Sequence, residues 1–247
     1  MIVTVNILVA VAAIVLGYLF GAIPTGVVIG KVFFGKDPRD FYSHNSGGTN
    51  TGRVLGKKIG ILVIFLDMLK TCIPIYVVWA VVTFAQPIAQ YMVWENGYFA
   101  APLWYWLSGL FAALGHCWPI YIHFKGGKAV ACLMGYNAFT SWIEFVGAGF
   151  SYLICLKITK YVSLTSMISS CIATAITWTL AIIQVTVPTN LQWMMWTMSS
   201  PYALQFCFEC AAINTVLTVI VIIRHKENIK RLIAGTELKT TDKLAEK

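Results

Sequence analysis

The 247-residue chain is 58% hydrophobic, only 11% charged, and carries a net charge of +8. Soluble domains run at roughly 45–50% apolar and about 25% charged residues, so this composition excludes an ordinary soluble domain. Several apolar runs reach the ~20 residues that a bilayer crossing needs. The chain therefore reads as an all-α polytopic membrane protein whose core is the helix bundle itself.

The spans expected from hydropathy are 3–34, 59–85, 103–123, 129–141, 143–158, 163–186 and 202–223. The first lacks a basic start and is too long for a cleaved signal peptide, so it reads as a mature helix. Gly21-Ala22-Ile23-Pro24-Thr25-Gly26 interrupts it, because proline removes a helix hydrogen bond and kinks the run. Gly35 to Asp40 then turns the chain out of the membrane. The stretch from Ser43 to Lys58 follows, with four glycines and the cations Arg53, Lys57 and Lys58. Glycines let successive N–H groups converge on one anion, and a nearby cation strengthens such a nest. This pattern points to phosphate binding at a membrane surface; the alternative is a polar connector whose cations only set topology.

Asp67 and Lys70 lie three residues apart inside an apolar span and so share one face. They read either as a structural ion pair or as a functional site, since ionisable groups in a span are costly. The segment 86–102 is an outer loop whose Trp94, Tyr98, Trp104 and Tyr105 read as an interfacial belt. The third span ends in Gly115-His116-Cys117-Trp118-Pro119. Lys125-Gly126-Gly127-Lys128 then runs straight into the next helix, where free N–H groups and the positive end of the dipole would meet an anion. The P-loop pattern GxxxxGK[ST] is absent. Spans four and five are short, and Ser141-Trp142 is a weak break between them, so one bent helix is the alternative. Ser163 opens the sixth span as a cap or a ligand. Trp193, Trp196 and Tyr202 form a second outer belt. The basic tail places His225, Asn228 and Arg231 on one helical face, and residues 238–247 read as disordered. The seven cysteines are scattered through apolar runs and read as small buried hydrophobes.

With seven spans and the N-terminus outside, seventeen of the eighteen Lys and Arg residues fall on the inner face and only Lys70 is left over. Merging spans four and five would spoil this distribution, so the positive-inside rule favours seven, with the C-terminus cytoplasmic. Residues 1–237 then form one integral-membrane domain with a phosphate-binding inner surface. An enzyme acting on a lipid phosphate or its precursor fits best. The alternative is a membrane transporter of phosphorylated metabolites or anions, although transporters usually show internal repeats and midplane sites. A purely structural protein leaves the glycine loops unexplained.

These stretches resemble the bacterial membrane glycerol-3-phosphate acyltransferases that use acyl phosphate as donor, the PlsY family. The family's motif Ser-Gly-Asn-x-Gly-Ala-Thr-Asn-x-x-Arg matches Ser43, Asn45, Gly47, Thr49, Asn50 and Arg53, with His44 in place of its Gly and Gly48 in place of its Ala. Gly115, His116, Pro119, Lys125, Gly126, Gly127 and Lys128 match a second motif, Val162-Ser163-Leu164 a third, and His225 through Glu237 a fourth. The resemblance implies acyl transfer from acyl phosphate to the 1-hydroxyl of sn-glycerol 3-phosphate, giving 1-acylglycerol 3-phosphate (lysophosphatidate) and inorganic phosphate. It implies Ser43, Arg53 and Lys128 as catalytic phosphate contacts. Asn45, Gly47, Thr49, Asn50, His116, Lys125, Gly126, Gly127, Ser163, His225 and Asn228 follow as substrate-binding residues. Neither a metal nor another cofactor is implied. The partners implied are the two substrates, membrane lipids and the enzyme that makes acyl phosphate; nucleic acid is not among them. The location implied is the bacterial plasma membrane with the site facing the cytoplasm. The His-x-x-x-x-Asp pattern of other glycerol-phosphate acyltransferases is absent, since no Asp stands five residues after His44, His116, His123 or His225.

Overall fold

The computed structural model describes residues 1–92, 101–186 and 203–242, and within them the regular structure is helical. In chain order the helices are α1 (Ile2–Gly21), α2 (Thr25–Phe34), α3 (Gly48–Leu55), α4 (Lys57–Phe84), α5 (Gln86–Ala89), α6 (Ala101–Cys117), α7 (Val130–Thr140), α8 (Trp142–Thr159), α9 (Val162–Thr186), α10 (Ala203–Arg224) and α11 (Lys226–Ile233). Short 3-10 turns cover Pro38–Asp40 and Ile120–Ile122.

Among the described residues four helical runs are long and apolar enough to cross a membrane: Ile2–Phe34, Lys57–Phe84, Trp142–Thr159 and Val162–Ile183. A fifth is α10 taken together with α11, which bends away from it by 54°. By contrast α6 has 17 residues and α7 only 11, the latter about 16 Å at 1.5 Å per residue. The helices present apolar side chains outward, as a lipid solvent demands: Ile7, Leu8 and Val11 on α1, and Phe150, Leu153 and Ile154 on α8, are exposed. Polar groups turn inward and bond to one another. Asn214 on α10 donates to Asn137 on α7 at 2.8 Å and to Thr177 on α9 at 3.0 Å.

The kink expected in the first run is a complete break between α1 and α2 at Ala22-Ile23-Pro24. It frees the Ile23 carbonyl, which accepts from Lys70 Nζ at 2.9 Å. Before the break, α1 lies directly on α6: a Cβ added to Gly21 would fall 1.9 Å from the carbonyl oxygen of Ala112. The doubtful pair of spans is two helices, because Ser141 is extended between them and its Oγ accepts the N–H of Ile143 at 3.2 Å, capping α8.

Some expectations are corrected. Tyr105 is buried in the core, not interfacial, and Trp104 reaches inward to Asn6 at 2.9 Å. Cys171 is exposed and Cys72 and Cys155 are only half-buried, so small buried hydrophobes describe Cys117, Cys132 and Cys210 alone among the described thiols. Residues 238–242 are pinned, with Thr240 N–H on the Lys160 carbonyl at 2.9 Å and Lys239 over the Tyr161 ring. Trp94, Tyr98, Trp193, Trp196, Tyr202, the side chain of Cys207 and the tail from 243 lie outside the described residues.

The helix ends sort the loops. Asn6, near the start of α1, bonds the Tyr91 carbonyl beyond α4 at 2.8 Å. The segments around 43–53, 116–128, 160–163 and 225–237 instead meet at the other end of the bundle, where they line one cavity.

Candidate functional site

The first wall of the cavity is built by the loop between α2 and α3. Gly35 ends α2 in the left-handed region at φ 63°. Asp37 then caps the turn and takes Arg39 Nη2 at 2.7 Å and Lys31 Nζ at 3.2 Å. The Arg39 bond holds the Asp37 carboxyl down at about 2. Asn50 staples the loop from inside. Its Nδ2 donates to the carbonyls of Pro38 at 2.7 Å and Asn45 at 3.0 Å, and its Oδ1 accepts Ser43 N–H at 3.2 Å. Asn45 Oδ1 accepts Gly47 N–H at 2.8 Å, which sets the entry to α3. Gly47, Gly48 and Thr49 open that helix and line the cavity, where the first N–H groups of a helix lack intrahelical partners. His44 holds the left-handed conformation, φ 53°, at the position where the family motif has glycine, and its Nδ1 bonds the Arg39 carbonyl at 2.9 Å.

Helix α3 lies along α4 on glycines. Cβ atoms at Gly48 and Gly60 would each fall within 3.0 Å of backbone on the other helix. This contact aims Arg53 at the cavity mouth. Burial lowers the Arg53 pKa, against the pull of Glu237. Its guanidinium has no hydrogen-bond partner among the described residues, and arginine remains charged in such a place.

The Lys125-Gly126-Gly127-Lys128 loop is built differently from expectation. Gly126 and Gly127 do not line the cavity. A Cβ on Gly126 would lie 2.1 Å from the His116 carbonyl oxygen, and one on Gly127 would lie 1.9 Å from His116 Nε2. Gly127 N–H donates to that same carbonyl at 3.0 Å. Arg224 donates to the carbonyls of Gly127 and Gly126, each at 3.1 Å, with its guanidinium over Trp118. These glycines are therefore packing and anchoring positions, not an anion cradle. Lys125 is exposed and lies apart from the cavity. Lys128 alone of the four reaches it, and donates to Asn228 Oδ1 at 2.6 Å. Burial pushes the Lys128 ammonium down to about 8 despite the attraction of Glu237.

The tail closes the third side and is not a solvated basic helix. Asn228 Nδ2 donates to Glu237 Oε1 at 2.6 Å, Ser163 Oγ donates to the same oxygen at 2.7 Å, and Arg231 Nε donates to Oε2 at 2.7 Å. Burial would raise the Glu237 carboxyl, but these three bonds hold it below the usual range. His225 is buried, and burial with the Lys128 charge drives it to about 4. The ring is thus neutral at pH 7. Its Nδ1 lies 2.7 Å from the Val221 carbonyl, so Nδ1 carries the proton and Nε2 is left as an acceptor.

Asp67 and His116 stand deeper in the same cavity. Asp67 Oδ1 forms an ion pair with Lys70 Nζ at 2.9 Å and accepts from Thr25, and His116 Nδ1 lies 3.6 Å away. Sequence reasoning marked the Asp67–Lys70 pair but did not place it at the site, and it passed over Glu237 as a site residue. The signal for Asp67 was its cost inside a span; for Glu237 it was membership in the fourth motif.

The cavity encloses about 210 Å³. Arg53 and Lys128 are its cations, and Asp67 and Glu237 its carboxylates. Each carboxylate has its own cation outside the lining, Lys70 for Asp67 and Arg231 for Glu237. Arg53 and Lys128 make no ion pair among the described residues, which leaves them available to hold a phosphate. Beside them runs an apolar wall of Ile64, Val130, Ala131, Met134 and Val162. Ser43, Asn45, Gly47, Thr49, Asn50, His116, Ser163, His225 and Asn228 are brought together here as well; Lys125, Gly126 and Gly127 are not.

A family model described as glycerol-3-phosphate acyltransferase matches residues 11–235. A glycerol-3-phosphate acyltransferase of Enterococcus faecalis is 40% identical over 227 residues, covering 92% of this chain and 90% of its own. One of Staphylococcus aureus is 37% identical over 232 residues, covering 93% and 96%. Crystal structures of PlsY (YgiH), an integral membrane glycerol 3-phosphate acyltransferase, superpose in two forms. The glycerol 3-phosphate form gives a TM-score of 0.68 at 30% identity, with 93% of this chain and 94% of that one covered. The lysophosphatidic acid form gives 0.67 at 29%, with the same coverage.

Proposed function

The chain belongs to the glycerol-3-phosphate acyltransferase family, and from that premise we propose that it moves an acyl group from acyl phosphate to the 1-hydroxyl of sn-glycerol 3-phosphate. The products are lysophosphatidate and inorganic phosphate. The observation that carries this reading is that two cations without ion-pair partners among the described residues, Arg53 and Lys128, share one cavity with an apolar wall. One substrate is a small phosphate with hydroxyls, and the other joins a phosphate to a hydrocarbon chain. Ser43, Arg53, Lys128 and the start of α3 contact the phosphates, and the chain lies along the apolar wall. Asn45 and Asn50 hold the loop in shape, while His225 and Asn228 position glycerol 3-phosphate.

Holding the hydroxyl against the carbonyl and neutralising the phosphates supplies the rate enhancement. The hydroxyl oxygen forms the new ester bond, the bond from carbonyl carbon to phosphate oxygen breaks, and the proton leaves with the phosphate. A bare acyl phosphate suits the short loops, whose sequence carries no dinucleotide fingerprint. All seven legs cross the bacterial plasma membrane in this reading, with the N-terminus outside and the cavity facing the cytoplasm, and the enzyme that makes acyl phosphate is the supplying partner. Cysteines introduced at Lys57 and Lys230 are then labelled from the cytoplasm and one at Gln90 from outside; the reverse pattern overturns the orientation.

The full chain in detergent, given palmitoyl phosphate, should release inorganic phosphate only when glycerol 3-phosphate is added, with lysophosphatidate formed in equal amount. Turnover with acyl-coenzyme A alone would overturn the donor. Flux of glycerol phosphate into vesicles, with no turnover of any donor, would favour a transporter.

A further inference from the structure

One buried carboxylate of the cavity has no task in the scheme above. Asp67 lines the cavity although it is 2% exposed. Lys70, Thr25 and His116 all converge on its Oδ1. Among the described residues nothing donates to Oδ2, and that oxygen is not among the buried atoms left without a partner. A carboxylate oxygen has acceptor capacity only, so Oδ2 is an open acceptor on a residue that lines the cavity. The other lining carboxylate, Glu237, is already bonded by Ser163, Asn228 and Arg231.

Depth says which part of a ligand meets Asp67. Going inward along α4, Gly60 faces Gly52 of α3, Ile64 faces Gly48, and Asp67 follows one turn later. Arg53 lies at the outer end of that contact and Asp67 beyond its inner end. A three-carbon phosphate held outside by Arg53 and Lys128 therefore sends its terminal hydroxyl inward. A second phosphate, at the start of α3, brings a carbonyl to the same level. An anion is disfavoured beside Asp67, but a hydroxyl donor is favoured there.

Resting on the acceptor reading above, we propose that Asp67 Oδ2 accepts a hydrogen bond from the terminal hydroxyl of glycerol 3-phosphate, the one that is acylated, and holds it for attack. Lys70, Thr25 and the carbonyl freed at Ile23 fix the carboxylate in place. His116 lines the cavity as well, with Gly127 packed against its Nε2. Asp67 is unchanged by turnover, since the proton leaves on the departing phosphate.

The test compares two ligands that differ only in that hydroxyl: n-propyl phosphate and 3-hydroxypropyl phosphate. Calorimetry on the detergent-solubilised full chain should find 3-hydroxypropyl phosphate tighter by roughly tenfold to a hundredfold, the range of a hydrogen bond to a charged acceptor. Asp67→Asn should narrow this gap to a few-fold at most and leave n-propyl phosphate affinity unchanged. If that variant does not fold, Asp67→Leu with Lys70→Met removes the pair together, which avoids a lone buried charge. Equal affinities in the unmodified chain, or a gap that persists in either variant, overturn the role of Asp67 and leave the acceptor reading standing. Failure of the unmodified chain to bind either phosphate overturns the acceptor reading itself.

Discussion

Two glycine-rich basic loops meet at the cavity, and they use glycine in opposite ways. In the loop before α3, Gly47 and Gly48 bring the opening of a helix onto the cavity surface. In the loop before α7, Gly126 and Gly127 are packed under His116 and tied down by Arg224, out of ligand reach. The first loop offers its backbone to a ligand. The second spends its backbone on the fold so that one side chain, Lys128, is delivered to a fixed point. Glycine beside lysine is thus not enough to identify an anion nest; what decides is whether the backbone reaches the cavity surface.

The sharpest way to break this contrast is to add one methyl to each loop. Gly126→Ala would set a Cβ against the His116 backbone and Pro119, neither of which can rotate away. Overpacking of this kind costs about 2–4 kcal/mol or prevents folding, and a lowered Tm in detergent measures it. Gly47→Ala meets only Asn45 Oδ1, at 3.0 Å, and Gly47 has φ −79°, which alanine adopts freely. Its Tm should move little. Similar Tm losses in both variants would erase the distinction between the loops.

The next effect concerns the two cations. Arg53→Lys should lower kcat/KM by an amount equivalent to about 2–4 kcal/mol, because the planar guanidinium fork is lost from a partly dry site. Stability should hold, since the guanidinium makes no hydrogen bond to the described residues. A silent kcat/KM would make Arg53 a topology charge only. Lys128 gives a gentler signal in pH. With its ammonium at about 8, the ligand-free chain loses this cation as pH rises through 8. Phosphate favours the charged form, so glycerol 3-phosphate should bind more weakly above pH 8, with proton uptake on binding. Lys128→Arg should keep the charge and flatten that dependence, and calorimetry in two buffers of different ionisation enthalpy reports the proton.

Class, helical content and the main site segments were legible from local signals: apolar runs, Pro24, the Ser43–Arg53 stretch, Lys128 and the tail motif. What local signals could not carry was contact between distant backbones. Nothing near Gly126 says that His116 lies on it, and nothing near Asp67 says that the Pro24 break frees a carbonyl for Lys70. Tyr105 looked interfacial because it sits beside a loop, yet it packs against Trp106 in the core. The Asn137–Asn214 bond joins residues 77 apart, each within a mostly apolar run. Such pairs become readable only when the helices are set side by side.

The smallest effect is expected at His44, where this chain departs from the family motif. At φ 53° a side chain costs roughly 1 kcal/mol relative to glycine, so His44→Gly relieves strain. The same change removes the bond from Nδ1 to the Arg39 carbonyl, which contributes about 1 kcal/mol at an ordinary net value, and it loosens the unfolded chain. These terms oppose one another, so stability should stay within about 1 kcal/mol. The loop itself keeps its shape through Asn50, whose amide spans Pro38, Asn45 and Ser43 without using His44. Activity should therefore hold. A tenfold loss in kcat/KM with Tm unchanged would mean that the imidazole, not the left-handed backbone, is what this position supplies, and the comparison of the two loops would then need a side chain on both sides.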